Sequence, residues 1–198
     1  MSILGLNKPL DNYIFTVVDT ETTGLSPYKG AELLEIAAVK INNLQLDLSL
    51  KFSTLIKPEK PIPQETIKIN GIDEKMVESS PKVYEVMPKF AEFVENTIFI
   101  AHNAKFDFSF INFYMKKHCI DCKLVHVIDT VSLSKKFFPN IGRYNLDALI
   151  KYFKIDVNIE DSSRHRAFFD AVNTAIIFLK NIEKMKILGM DLTLSNLL

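Results

Sequence analysis

The hydrophobic positions of this chain switch between a period of two and a period near four, and those switches lay out its elements. Residues 13–18 (YIFTVV) are aromatic or aliphatic and uncharged, the pattern of a strand buried on both faces. Residues 32–41 and 44–56 carry strand patterns on either side of Asn42-Asn43, a dipeptide suited to a tight turn. An antiparallel hairpin beside the first strand is therefore expected. Pro58, Pro61 and Pro63 break regular structure, and Asn70-Gly71 marks another turn. A helix is expected after Ser80-Pro81 and up to Asn96, with Val86, Phe90, Phe93 and Val94 on one side; Pro88 predicts that its regular part begins late. Residues 97–101 (TIFIA) form a short apolar strand, and 106–117 repeat at helical spacing, with Phe106, Phe110, Phe113 and Tyr114 as core positions. A further strand at 125–128 ends at Asp129-Thr130, followed by a helix to about 138. Asn145 is placed to cap a helix over 146–153. The last helix begins near Arg166, runs through Ala171, Val172, Ala175, Ile176 and Leu179, and fades after Glu183. Strands first, then strands alternating with helices, make a mixed sheet with helices on its faces in one α/β domain.

Composition changes this picture little but excludes several classes. The 198 residues suffice for a real core, and 24 Lys and Arg balance 24 Asp and Glu. A chain of zero net charge is not a bulk electrostatic binder of duplex nucleic acid. No apolar stretch approaches the roughly 18 residues needed to span a bilayer, and no basic segment followed by an apolar run opens the chain, so no membrane association and a cytoplasmic location are expected. Two cysteines, Cys119 and Cys122, are too few for a disulfide framework.

The chemistry collects at element boundaries. The first strand runs into Asp19-Thr20-Glu21-Thr22-Thr23-Gly24, and strand alternation puts the carboxylates of Asp19 and Glu21 side by side where the sheet ends. Two like charges in one place are costly, whereas divalent cations would satisfy both as hard oxygen ligands. Gly24 allows a sharp turn there. Asp107 stands at a strand-to-helix junction and Asp170 in the first turns of the last helix; either is also explained as a partner of the helix dipole. Taken with Asp19 and Glu21, four acids converging at one sheet end suit two ions about 3.5–4 Å apart acting on a phosphodiester. His165, five residues before Asp170, cannot share its helical face. It could serve as a general base from the loop before the helix, or stand as a surface histidine between Arg164 and Arg166.

The strings DTETTG, HNAKFDFSFI and HRAFFDA, in that order, resemble the three motifs of the DEDDh 3′–5′ exonuclease superfamily, and their surroundings look most like the proofreading subunits of bacterial replicative polymerases. The resemblance runs from about residue 13 to 182, taking in Asn70-Gly71-Ile72, Asp129-Thr130 and residues 145–149, and divides the chain into an exonuclease domain, 1–182, and a tail, 183–198. It implies a ribonuclease-H-like fold with a five-stranded mixed sheet flanked by helices. Carried over residue by residue, Asp19, Glu21, Asp107 and Asp170 would hold two Mg²⁺ or Mn²⁺ ions and His165 would be the general base. Thr22 and Thr23 would lie by the terminal nucleotide of a single-stranded DNA 3′ end, with Asn103 and Phe106 near the scissile bond. A sister subfamily carries tyrosine four residues before the last aspartate; here that position is Arg166, and the histidine five before it marks the DEDDh branch. The activity implied is metal-dependent release of nucleoside 5′-monophosphates from the 3′ end of DNA in proofreading or repair, with RNA trimming on the same scaffold as the alternative and a noncatalytic adaptor as a third reading.

Two other signals carry less. His118, Cys119, Asp121, Cys122 and His126 crowd together, but a C-x-x-C without a second cysteine pair reads as a helix end and a buried thiol rather than a zinc site. Residues 45–50 (QLDLSL) resemble a peptide that docks on the bacterial sliding clamp, yet alternation accounts for them as a strand. The apolar tail, 187–198, either folds back on the core or binds a partner such as a polymerase subunit.

Overall fold

The computed structural model describes residues 6–122, 124, 126–157 and 166–198. Its centre is a five-stranded mixed sheet in the order β3-β2-β1-β4-β5. Strand β1 (Phe15–Thr22) pairs antiparallel with β2 (Leu33–Asn42), which pairs antiparallel with β3 (Gln45–Leu55). The expected hairpin forms, with its turn one residue later than expected: Asn43 and Leu44 both take positive φ, 50° and 56°, the twist that joins two right-twisted strands. Strands β4 (Ile98–Ala101) and β5 (Val127–Asp129) add on the other side of β1 in parallel. Strand β1 runs four residues beyond Val18, because the β-branched Thr20 and Thr22 suit extended backbone and pairing with β2 continues to Thr22 opposite Leu33. Asp19 and Glu21 therefore lie within the strand rather than after it.

Side-chain alternation along β1 assigns the two faces. Phe15 and Val17 join a core with Val39, Ile41, Val172, Phe178 and Met185 beneath α7 (Ala167–Ile187). Val18 faces the opposite core with Ile36, Phe90, Phe99 and Phe110, under α3 (Val83–Val94) and α4 (Lys105–Lys117). Buried Ala167, Ala171 and Ala175 recur every fourth residue, so α7 presents a stripe without bulk where it lies along β1 and β2. Helices α5 (Thr130–Phe137) and α6 (Leu146–Phe153) pack against α7.

The local expectations fail where tertiary burial overrides a single residue. Helix α3 starts five positions before Pro88; the proline is exposed, and burial of Val86, Met87, Phe90, Ala91 and Val94 outweighs its cost of roughly 3 kcal/mol. Asn145 occupies the cap position of α6 without a capping side-chain bond. The proline-rich segment contains two unexpected short helices, α1 (Gln64–Asn70), closed by Gly71 at φ 71°, and α2 (Glu74–Val77), capped by Asp73. Helix α7 continues past Glu183 to Ile187 because Met185 is fully buried.

The last residues lie back on the core. Leu10 donates its N–H to the carbonyl of Leu192 (2.9 Å), Ser195 donates to Leu6 (2.9 Å), and Leu194 and Leu197 join the α7-side core. Two leucine side chains are worth about 4 kcal/mol when buried. Truncation after Gly189 is expected to lower the melting temperature by roughly 10 °C in a domain of this size, measured by circular dichroism. An unchanged melt would show that the tail carries no stability.

Candidate active site

The site is built at the end of β1 where α4 and α7 begin. Alternation points Asp19 and Glu21 toward the α7 face, and the first turn of α7 delivers Asp170 to the same place. These three side chains can each bring one carboxylate oxygen within 4.8 Å of the others. Asp107, at the start of α4, is 2 % exposed and accepts a 2.8 Å bond from the Thr20 hydroxyl, which leaves β1 on the opposite face from Asp19. Asp107 thus approaches across the sheet end, and among its charged neighbours Asp19 feels it most strongly.

The electrostatics of this arrangement are unfavourable without cations. Burial holds the Asp19 carboxyl well above the usual range, and the charges of Asp107, Asp170, Glu21 and Glu35 push it in the same direction. Glu21 is raised from 4.5 to about 8 by burial and by Asp170, Glu35 and Asp107, against a hydrogen bond from the Asn70 side chain that favours its charge. Burial raises Asp107 from 3.8 to about 7 despite the Thr20 bond. Clustered hard oxygen donors that hold one another protonated fit divalent ions of the Mg²⁺ or Mn²⁺ kind, which would replace the protons and neutralise the cluster.

Comparison with known proteins agrees with this geometry. The sequence profile of the RNase T exonuclease family matches residues 16–178, from the second residue of β1 to the middle of α7. The chain belongs to that exonuclease family. A PolC-type DNA polymerase III from Caldanaerobacter subterraneus subsp. tengcongensis is 41% identical over 175 residues, covering 88% of this chain and 12% of the relative. A DNA polymerase III subunit epsilon-like protein of Rhodobacter capsulatus is 39% identical over 184 residues, covering 92% of this chain and 25% of the relative. The exonuclease domain thus spans a quarter or less of these relatives. In structure it resembles exonuclease X in complex with 5′ overhanging duplex DNA, with a TM-score of 0.69 and 26% identity over 92% of this chain and 98% of that one. The expected five-stranded, ribonuclease-H-like architecture is the one observed.

Of the other expected site residues, Thr22 and Thr23 lie where β1 ends, and Asn103 and Phe106 where α4 begins. The Thr22 hydroxyl donates to the carbonyl of Gly24 (2.7 Å), and the Thr23 hydroxyl accepts from the N–H of Glu32 (2.8 Å), so both shape the turn after β1. Thr66 of α1 donates to the Thr23 carbonyl (3.2 Å), tying this turn to the helix that ends in Asn70. At Gly24 a Cβ would stand 3.3 Å from that of Ala31, which would have to give by a few tenths of an ångström. Asn103 is exposed and left-handed at φ 62°, and the Phe106 ring is half-buried against Phe110. His165 lies outside the described residues. The sulfur of Cys122 points to the Ala91 carbonyl at 3.7 Å, His118 stacks on Tyr114, and among the described residues neither belongs to a metal-competent group.

Sequence reasoning missed two carboxylates that hold the site together. Asp129 was visible as the end of a strand and within the stretch of resemblance, with no role attached. Its Oδ1 accepts from the N–H groups of Asn103 (2.9 Å), Ala104 (3.4 Å) and Val131 (3.1 Å), and its Oδ2 from the Ser132 hydroxyl (3.0 Å). It thereby pins the start of α4, and with it Asp107, to the end of β5. Glu35, not singled out in the sequence, is buried beside the cluster. Its sequence signal was its place among the apolar residues 33–39 of β2.

Proposed function

We propose that this chain is a metal-dependent 3′–5′ exonuclease that shortens single-stranded DNA from its 3′ end and releases nucleoside 5′-monophosphates. The observation that carries the reading is the convergence of Asp19, Glu21 and Asp170, with Asp107 buried beside Asp19, in a chain of the exonuclease family. Asp19, Glu21 and Asp170 would hold one divalent ion, and Asp19 with Asp107 a second. When bound, such a pair supplies Lewis-acid charge to the attacking and leaving oxygens of a phosphodiester. The chain's own groups do the rest. His165 takes the proton from the attacking water, Asn103 and Phe106 border the scissile end, and the turn at Thr22 and Thr23 seats the terminal nucleotide. Zero net charge agrees with an enzyme that grips only the last few nucleotides.

Work beside a DNA polymerase is the cellular setting that the polymerase III relatives suggest, and the cytoplasm is the location proposed with it. Among the described residues no helix is long and apolar enough to cross a membrane. The deciding assay is turnover of matched 5′-labelled DNA and RNA single strands with Mg²⁺, Mn²⁺ or EDTA. A ladder shortening from the DNA 3′ end, absent in EDTA and weaker on RNA, is expected. Preference for RNA would move the enzyme to RNA processing with the same site, and inactivity on both would return the noncatalytic reading.

A further inference from the structure

We propose that Glu35 and Arg166 form a positioning pair that sets the metal affinity of the site by fixing the first turn of α7; this rests on the two-metal reading above. Glu35 lies opposite Glu21 in the β1–β2 register, and cross-strand partners share a sheet face, so its carboxylate stands on the metal side of the sheet. It is 2 % exposed. Three donors at the entrance to α7 converge on it: Arg166 Nε on Oε2 (2.9 Å), Arg166 Nη2 on Oε1 (3.0 Å) and the Ala167 N–H on Oε2 (3.1 Å). The N–H of Asp170 in turn bonds the carbonyl of Arg166 (3.1 Å). The residue gripped by Glu35 thus closes the helical turn that carries Asp170, and Ala167 lies fully buried within it.

Charge explains why this position holds an acid and an arginine. Asp19, Glu21, Asp107 and Asp170 carry four negative charges when ionised, matching two divalent cations. Glu35 would be a fifth, and the planar guanidinium takes both its oxygens in a two-pronged bond that a lysine cannot reproduce. Glu35 is thereby kept out of the ligand set while its hold on α7 keeps Asp170 in it. Neutralising Glu35 would turn an amide N–H₂ toward the guanidinium and loosen the grip that fixes the turn carrying Asp170.

The test is Mn²⁺ titration of the whole chain without DNA, followed by the electron paramagnetic resonance signal of free Mn²⁺, on wild type, Glu35→Gln, Arg166→Lys and Asp19→Asn. Melting curves in EDTA and kcat and KM on single-stranded DNA accompany it. Glu35→Gln is expected to melt within a few degrees of wild type, to bind Mn²⁺ at least about tenfold more weakly, and to lose kcat that excess Mn²⁺ partly restores, with KM for DNA little changed. Arg166→Lys should fall between it and wild type, and it decides the matter if Glu35→Gln does not fold. Wild-type Mn²⁺ affinity in whichever of the two variants decides overturns the inference and leaves the active-site reading standing. Failure of wild type to bind Mn²⁺, or equal binding by Asp19→Asn, overturns both.

Discussion

Asp19→Asn is expected to abolish nucleotide release and, at neutral pH, to make the metal-free protein more stable. Most substitutions of a buried residue destabilise, by breaking a contact or opening a cavity. Asp19 is the reverse case, because its carboxylate is held well above its usual range by burial and by four neighbouring acids. Asparagine keeps nearly the same shape and removes that repulsion. The same change takes away the group shared by both proposed ion positions, so turnover should fall on the order of a thousandfold, as when a group that stabilises transition-state charge is lost. Paired measurements settle it: the melting temperature in EDTA at pH 7.5 to 8, taken as about neutral, and single-turnover hydrolysis with Mn²⁺. A variant that keeps near-normal turnover would sink the site assignment, whatever its stability.

Metal binding should strengthen as pH rises toward about 8, and the stability of the metal-free chain should fall over the same range. The sign follows from the raised carboxylates. Glu21 moves from 4.5 to about 8 and Asp107 from 3.8 to about 7, and Asp19 moves in the same direction. Each folded pKa lies above its unfolded value, so each contributes stability that is fully present below the unfolded pKa and is lost as pH climbs through the folded one. The loss accordingly spreads between about pH 4 and pH 8. A cation must displace these protons, and each proton displaced steepens apparent affinity by about tenfold per pH unit while the group is still protonated. Thermal melts with and without Mn²⁺ from acid to mildly alkaline pH should therefore diverge progressively. A gap that stays constant across the series would show that the cluster is already ionised in the metal-free protein.

Much of this fold was legible because its strands and long helices carry undiluted periodicity. The hairpin, the short strand before His102 and the aromatic spacing of α4 all follow from which residues must be hidden. The misreadings have a common physical cause: a local preference was outvoted by burial elsewhere. Pro88 sits inside α3 because five neighbours are buried, and α1 and α2 survive among prolines because Ile62, Ile72 and Val77 pack with Leu34 in a small core of their own. Strand alternation anticipated that Asp19 and Glu21 share a face, and Asp170 meets them there, though the two strand acids sit inside β1 rather than after it. The supports of the acids were not legible. Glu35 meets Arg166 across 131 positions of sequence, and Asp129 meets Asn103 across 26. Nothing in the neighbourhood of either carboxylate announces a distant donor.

The four acids differ in what holds them. Asp19 and Glu21 belong to β1, the middle strand of the sheet, and are laced to β2 opposite Ala37 and Glu35. Asp107 and Asp170 stand on the opening turns of two helices, whose starts are bonded by Asp129 and Glu35 respectively. Amide hydrogen exchange should divide the site accordingly, with the strand half protected up to global unfolding and the helix half opening in smaller local events. The acid cluster is then a fixed anvil with two adjustable jaws.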